Sequence, residues 1–285
     1  MGYLVRIVAR VKEKAMRVEF RGDFYFLPVL EVLAERHELS SIVTFSRSAS
    51  AFREIARRTG AELMFITDRA STPGVREDSE LCVVAGYPFK LTLPAGTRGL
   101  NIHPSLLPQG RGPDPHTHIL LGKRAAAGVS IHKLSPQIDA GDIVAQRPIE
   151  LTRHDSSLSY LIRCGLVAAD LLERVLLDFD AAWEHAKSQA TGSWWSMADP
   201  HLSQIVAGDT VDQALAKFSA FYAQSWFEFT GKRRNILSIS AWQNGEITDQ
   251  APGTVIFNAL DIVVLKVLDG YVLMHFAPLP MEAAA

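Results

Sequence analysis

Two cysteines, Cys82 and Cys164, are too few for a disulfide scaffold or an all-cysteine zinc site, and they suit a reduced, cytoplasmic compartment. No run approaches the ~18–20 unbroken apolar residues of a membrane helix. Neither sign of charge is in excess: Lys+Arg 29 against Asp+Glu 31 gives −2, so no global positive field draws the chain to nucleic acid or to an anionic membrane. Internal repeats and low-complexity tracts are absent. A chain that is 48% hydrophobic and 21% charged is globular rather than extensively disordered. Residues 1–15 are basic and apolar but lack a small-residue cleavage site after a hydrophobic core. They read as an N-terminal extension, with a transit peptide as the weaker alternative, and the fold argument starts at Met16.

What is present alternates. Met16–Gly22 reads as a strand running into a glycine turn, and Leu27–His37 as a helix with Pro28 in its first turn. Ser41–Phe45 is strand-like, and a helix follows with Ser48 as cap and Gly60 as stop. Ala61–Ile66 and Leu81–Ala85 are apolar runs of buried-strand length. This alternation predicts a parallel sheet covered on both faces. Further strands are expected at Leu100–His103, Gly128–His132 and Ile143–Gln146, then a long helix from Leu158 to about Trp183. Residues 188–204 lack a period and hold Gly and Pro, which marks a linker. Beyond it come a helical patch, Val211–Phe229, and four strand-like runs at Ile236–Trp242, Gly253–Phe257, Ile262–Leu268 and Tyr271–Phe276. Those runs predict a small antiparallel, barrel-like domain. The expected division is an α/β domain over 16–187, a linker over 188–204 and a small β-rich domain over 205–285.

The densest polar punctuation lies between Asn101 and Asp142. Asn101 and His103 are two apart at the end of an expected strand, so their side chains share one face at the carboxyl edge of the sheet. Pro104 opposes helical continuation through His103. Asp139 follows in a glycine-flanked loop.

The octapeptide Asn101-Ile-His-Pro-Ser-Leu-Leu-Pro108, then Arg111-Gly112, Gly128-Val-Ser-Ile-His132 and Ile138-Asp-Ala-Gly-Asp-Ile-Val144 resemble the folate-dependent formyltransferase family. Its members include glycinamide ribonucleotide, methionyl-tRNA and amino-sugar formyltransferases. The resemblance covers most of Met16–Leu177, with weaker similarity to about residue 279. It implies a Rossmann-like parallel-sheet domain with a small β domain, and a catalytic triad of Asn101, His103 and Asp139. It also implies 10-formyltetrahydrofolate as co-substrate. Its pterin slot would be formed by two loops, here Gly86, Tyr87, Phe89, Lys90 and Leu91 on one side and Gln137 and Ile138 on the other. Pro113–His118 departs from the branches of the family, and the resemblance places this stretch on the acceptor side.

Formyl transfer between nitrogens passes through a tetrahedral centre bearing an oxyanion. Asn101 and His103 can offer N–H donors to that oxygen, and one such donor is typically worth ~10²–10³ in rate. An alkylamine with a pKa near ~10.4 is neutral in only about one molecule in 10³ at pH 7, so a base is needed. Asp139 is assigned that role, with a second role orienting or charging His103 left open. No metal is required, since the donor is already an activated amide, and His116 and His118 form a lone His-x-His without ligand-spaced partners. They read as surface or acceptor-side residues, His132 as a satisfied core histidine, Cys82 as core filler, Lys232–Arg234 as a solvated turn, and Trp194-Trp195 as cover for a domain interface.

Charge discriminates among acceptors. From Asp199 to Ala285 nine acids stand against five bases, so this segment is −4, the wrong sign for holding a tRNA backbone. The preferred acceptor is a small-molecule amine, either an amino sugar or an amine-bearing amino acid or metabolite. Methionyl-tRNA is the runner-up, and a non-catalytic folate-binding module is the alternative of another class. No membrane partner is expected, and the sequence leaves open a homodimer.

Overall fold

The computed structural model describes residues 15–243 and 250–278. All but the last of the expected extension, residues 1–14, lies outside the described residues, as do the chain's last seven, 279–285. Seven strands form the first sheet: β1 (Arg17–Gly22), β2 (Glu38–Phe45), β3 (Glu62–Ile66), β4 (Leu81–Ala85), β5 (Arg98–His103), β6 (Gly128–Lys133) and β7 (Ile143–Pro148), in the order β3-β2-β1-β4-β5-β6-β7. The first five run parallel. β6 then pairs antiparallel to both β5 and β7, so the sheet is mixed at one end.

Its helices are α1 (Leu27–Arg36), α2 (Ala49–Thr59), α3 (Pro115–Leu120), α4 (Ser157–Leu177) and α5 (Phe179–Glu184). Alternate residues of the strands, Val18 and Phe20 on β1, Val83 on β4, Leu100 and Ile102 on β5, join Leu30 of α1, Phe52 of α2 and Leu172 of α4 in the main core. The opposite strand face is covered differently. Cys82 and Val84 meet Val75, Leu91, Leu93 and Leu134 from irregular segments. On the same face the wholly buried Arg21 pairs with Glu19 and donates to the carbonyls of Pro73 and Gly74 at 2.8 and 2.7 Å. The β3–β4 connection is thus held by a buried guanidinium rather than packed as a helix, which the alternation of elements did not predict. Cys82 is core filler as expected, its thiol pushed up to about 12 by burial.

The expected long helix divides at Asp178, whose side chain accepts from the Ala181 N–H and starts α5. The first part of the stretch read as linker, 188–195, is pinned: just before it Lys187 and Ile143 of β7 exchange two backbone bonds at 2.8 Å, and Trp195 N–H reaches the Arg111 carbonyl at 2.7 Å. The expected helical patch 211–229 is shorter than its pattern. α6 (Val211–Ala220) ends early and β8 (Trp226–Phe229) follows. With β9 (Lys232–Trp242), β10 (Val255–Ala259), β11 (Ile262–Lys266) and β12 (Tyr271–Phe276), β8 builds a curled antiparallel sheet in the order β10-β11-β12-β9-β8. Its core packs Ala214 of α6 against Ile236, Leu265 and Met274. Lys232–Arg234 opens β9 instead of forming a turn; Arg234 pairs with Asp261 at 2.7 Å. Among the described residues no helix is long and apolar enough to cross a membrane.

Candidate active site

Asn101 and His103 project from the end of β5 on the face opposite the main core, as their spacing requires. The antiparallel register sets His132 of β6 directly across from Asn101. Asp139 comes from the β6–β7 loop with φ 54°, a left-handed conformation that Asp tolerates better than most residues. Gln189 fixes that loop, donating through Nε2 to the carbonyls of Asp139 at 2.9 Å and Gly141 at 2.7 Å. A Cβ at Gly141 would overlap the Lys133 carbonyl, so only glycine lets the loop fold back here.

The four side chains form one network. Asn101 Nδ2 lies 3.2 Å from Asp139 Oδ1 and 3.0 Å from His132 Nε2. Asp139 Oδ2 accepts the Gly112 N–H at 2.9 Å. Gly112 has φ 116°, and a side chain there would strike the Trp195 carbonyl. His103 Nε2 is 2.7 Å from the Gly110 carbonyl and must be the donor. His103 Nδ1 stands 3.7 Å from Asp139 Oδ1, too long for a hydrogen bond, so in the neutral ring it keeps its lone pair. By the same reasoning His132 donates from Nδ1 to the Lys133 carbonyl at 2.9 Å and accepts from Asn101 at Nε2.

Burial lowers the His103 pKa below its ordinary value; the Asp139 charge and the Gly110 carbonyl act upward and His132 downward. Burial pushes Asp139 up, yet the His132 and His103 rings facing it and the Gly112 N–H together hold it below the usual carboxylate range. Near pH 7 this leaves a neutral imidazole beside an ionised carboxylate.

Asn101, His103 and Asp139 open into a cleft of about 1020 Å³, the size of a pocket for a large small molecule or for two ligands. Gly86 and Tyr87 form one wall and Ile138 another, so both expected loops reach it. Phe89, Lys90, Leu91 and Gln137 are not among the described residues that line it. Phe89 sits edge-on to Tyr87, Leu91 turns into the second-face cluster, and Lys90 and Gln137 are exposed. His132, expected as a core histidine, is buried but joins Asn101 and Asp139. Its signal was the β5–β6 register, which strand patterns do not reveal. Gln189 was missed, and Gly112, seen only as part of a motif, was given no role, because both act through the pinned segment. Trp194 is 56% exposed on the cleft rim, and Trp195 packs against Gly110 and His118. Among the described residues no group of three or more His, Cys, Asp or Glu is placed to hold a metal.

A family model described as formyl transferase matches residues 48–176. The methionyl-tRNA formyltransferase of Anaplasma marginale is 25% identical over 268 residues, 87% of each chain. HypX from Aquifex aeolicus, solved with tetrahydrofolic acid, superposes with a TM-score of 0.64 at 19% identity over 92% of this chain; the chain spans 44% of HypX. The N-formyltransferase of Helicobacter canadensis, solved with folinic acid and dTDP-3-aminofucose, gives 0.67 at 12% identity, over 93% of this chain and 100% of that one. At these identities the two structures speak for the fold, whereas the family model and the relative speak for descent. The chain is thus similar to formyl transferases over residues 48–176 and to a methionyl-tRNA formyltransferase over most of its length.

Proposed function

We propose that the protein transfers a formyl group from 10-formyltetrahydrofolate to the primary amine of a small molecule. The observation that carries the reading is the orientation of His103, with Nε2–H committed to Gly110 and a bare Nδ1 beside the Asp139 carboxylate at the cleft. When bound, the folate supplies an activated formyl carbon whose oxygen becomes negative on attack. Two loops fit such a group: Gly86 leaves β4 with φ 67° and no side chain in the slot, and Ile138 faces the cleft beside Asp139.

His103 Nδ1 accepts the proton that the attacking amine loses and returns it to the departing nitrogen, so one imidazole serves as base and then as acid. Asp139 is already engaged by Gly112 and Asn101, and it acts by stabilising the imidazolium 3.7 Å away. Asn101 serves the oxyanion by exchanging its 3.2 Å bond to Asp139 for the formyl oxygen. Asp139→Asn is expected to lose about 10²–10³ in turnover while folinic acid affinity stays within about threefold. Retention of most activity would remove Asp139 from the mechanism.

Methionyl-tRNA is the second reading, favoured by the near full-length relative, a methionyl-tRNA formyltransferase. Against it, two of the five bases of the C-terminal part are already paired, Lys217 with Asp209 at 2.6 Å and Arg234 with Asp261. Sub-micromolar tRNA binding that falls steeply with salt would favour it. Tight folate binding without formyl transfer to any amine would favour a non-catalytic binding module.

A further inference from the structure

Beyond His103 the cleft continues between the turn after β1, the start of α3 and the end of α6. Its charge is one-sided. Among the described lining residues Arg47 is the one lysine or arginine, and it is paired with Asp23 and lies 4.7 Å over the Phe45 ring. Asp114 faces no such cation: it accepts from Thr117 Oγ1 at 2.6 Å and the Ala198 N–H at 3.3 Å, with His116 Nδ1 at 3.3 Å. The nearby Arg111 is turned away to Gln189 and the Ala190 carbonyl. With Asp139 this half of the cleft is anionic, so it attracts an ammonium group and repels a phosphate.

The backbone agrees. In open α/β folds the turn after the first strand presents N–H groups to phosphates. Here the Asp23 N–H is taken by the Ala85 carbonyl at 3.1 Å, the Phe24 N–H by Asp23 Oδ1 at 2.8 Å and the Phe26 N–H by the Asp23 carbonyl at 3.0 Å. The turn is closed on its own carboxylate. The rim is apolar: Trp194, Met197 and Tyr222 stand 56%, 66% and 43% exposed around the opening. Large side chains held out of a core at a cleft mouth mark a surface that meets a ligand.

We infer that the acceptor is a phosphate-free primary amine carried on an aromatic or alkyl body, an assignment that rests on the formyl-transfer reading. The body lies against Trp194, Met197 and Tyr222. The amine arrives as an ammonium drawn by Asp114 and Asp139 and yields one proton to water. As its nitrogen bonds the formyl carbon, its second proton passes to His103 Nδ1 and leaves with the folate nitrogen whose bond breaks.

Matched pairs test this. Tetrahydrofolate formation is followed with tyramine against O-phosphotyramine, with glucosamine against glucosamine 6-phosphate, and with dTDP-3-aminofucose. In each pair the phosphate is expected to lower kcat/KM at least about tenfold, mainly through KM, and tyramine to exceed both glucosamine and dTDP-3-aminofucose. Met197→Lys, at an exposed position that leaves the core untouched, should narrow the gap within each pair. Preference for the phosphorylated members or for dTDP-3-aminofucose overturns the acceptor assignment and leaves formyl transfer standing. No formyl product from any of the five, with folinic acid still bound, overturns both.

Discussion

At the residue scale the proposed chemistry turns on a single lone pair. The Gly110 carbonyl chooses the tautomer of His103, and in the proposed reaction this leaves Nδ1, not Nε2, to meet the substrates. Because burial lowers the His103 pKa and only its neutral form accepts a proton, kcat should hold steady below pH 6.5 and fall only at more acid pH. The Asp139 charge raises that pKa, so Asp139→Asn should move the acid limb to still lower pH while depressing the plateau. A pH–rate profile of both proteins checks this, and a limb moving upward would contradict it. The sequence showed Asn101 and His103 on one face because alternation along a strand is local. It did not show His132 there, because that neighbour depends on an antiparallel pairing formed across a loop.

Elements decide how firmly the network is held. Asp139 sits in a left-handed conformation fastened by one side chain of the pinned segment, Gln189. Gln189→Ala should lower kcat about tenfold with folinic acid affinity unchanged and a small loss of stability, since a 1 Å misplacement of a catalytic group is costly. A loss confined to stability would make Gln189 merely structural. α4 approaches the turn after β1 so closely that a side chain at Gly165 would strike the Tyr25 carbonyl. Gly165→Ala should cost about 1–3 kcal/mol in a denaturant titration, as overpacking does. Periodicity exposed α4 and the buried strands. It overran α6 because Trp226–Phe229 is as apolar as a helix stripe, and only pairing with Lys232–Asn235 makes it a strand. The linker read from Ser188–His201 lacks a period for a different reason: its bonds run to Pro108 and Arg111, far away in sequence.

For the whole molecule, one cleft is walled by the strand ends of the first sheet and by Ala220, Phe221, Tyr222 and Gln224 at the end of α6. A ligand bound there should stabilise the native chain by about 2.7 kcal/mol at a hundredfold excess over its Kd, and folinic acid should do so in a thermal or denaturant scan. Since the C-terminal part is net acidic and two of its five bases are paired, acceptor kcat/KM should change little between low and moderate salt, unlike a phosphate-backbone interaction. The central claim is that His103 carries the transferred proton. Its most direct test is the formyl-transfer rate of His103→Asn at saturating 10-formyltetrahydrofolate with the best acceptor, beside folinic acid affinity on the same preparation. The account predicts a loss of at least about 10² in rate with affinity within about threefold. A rate close to that of the unaltered protein would contradict it.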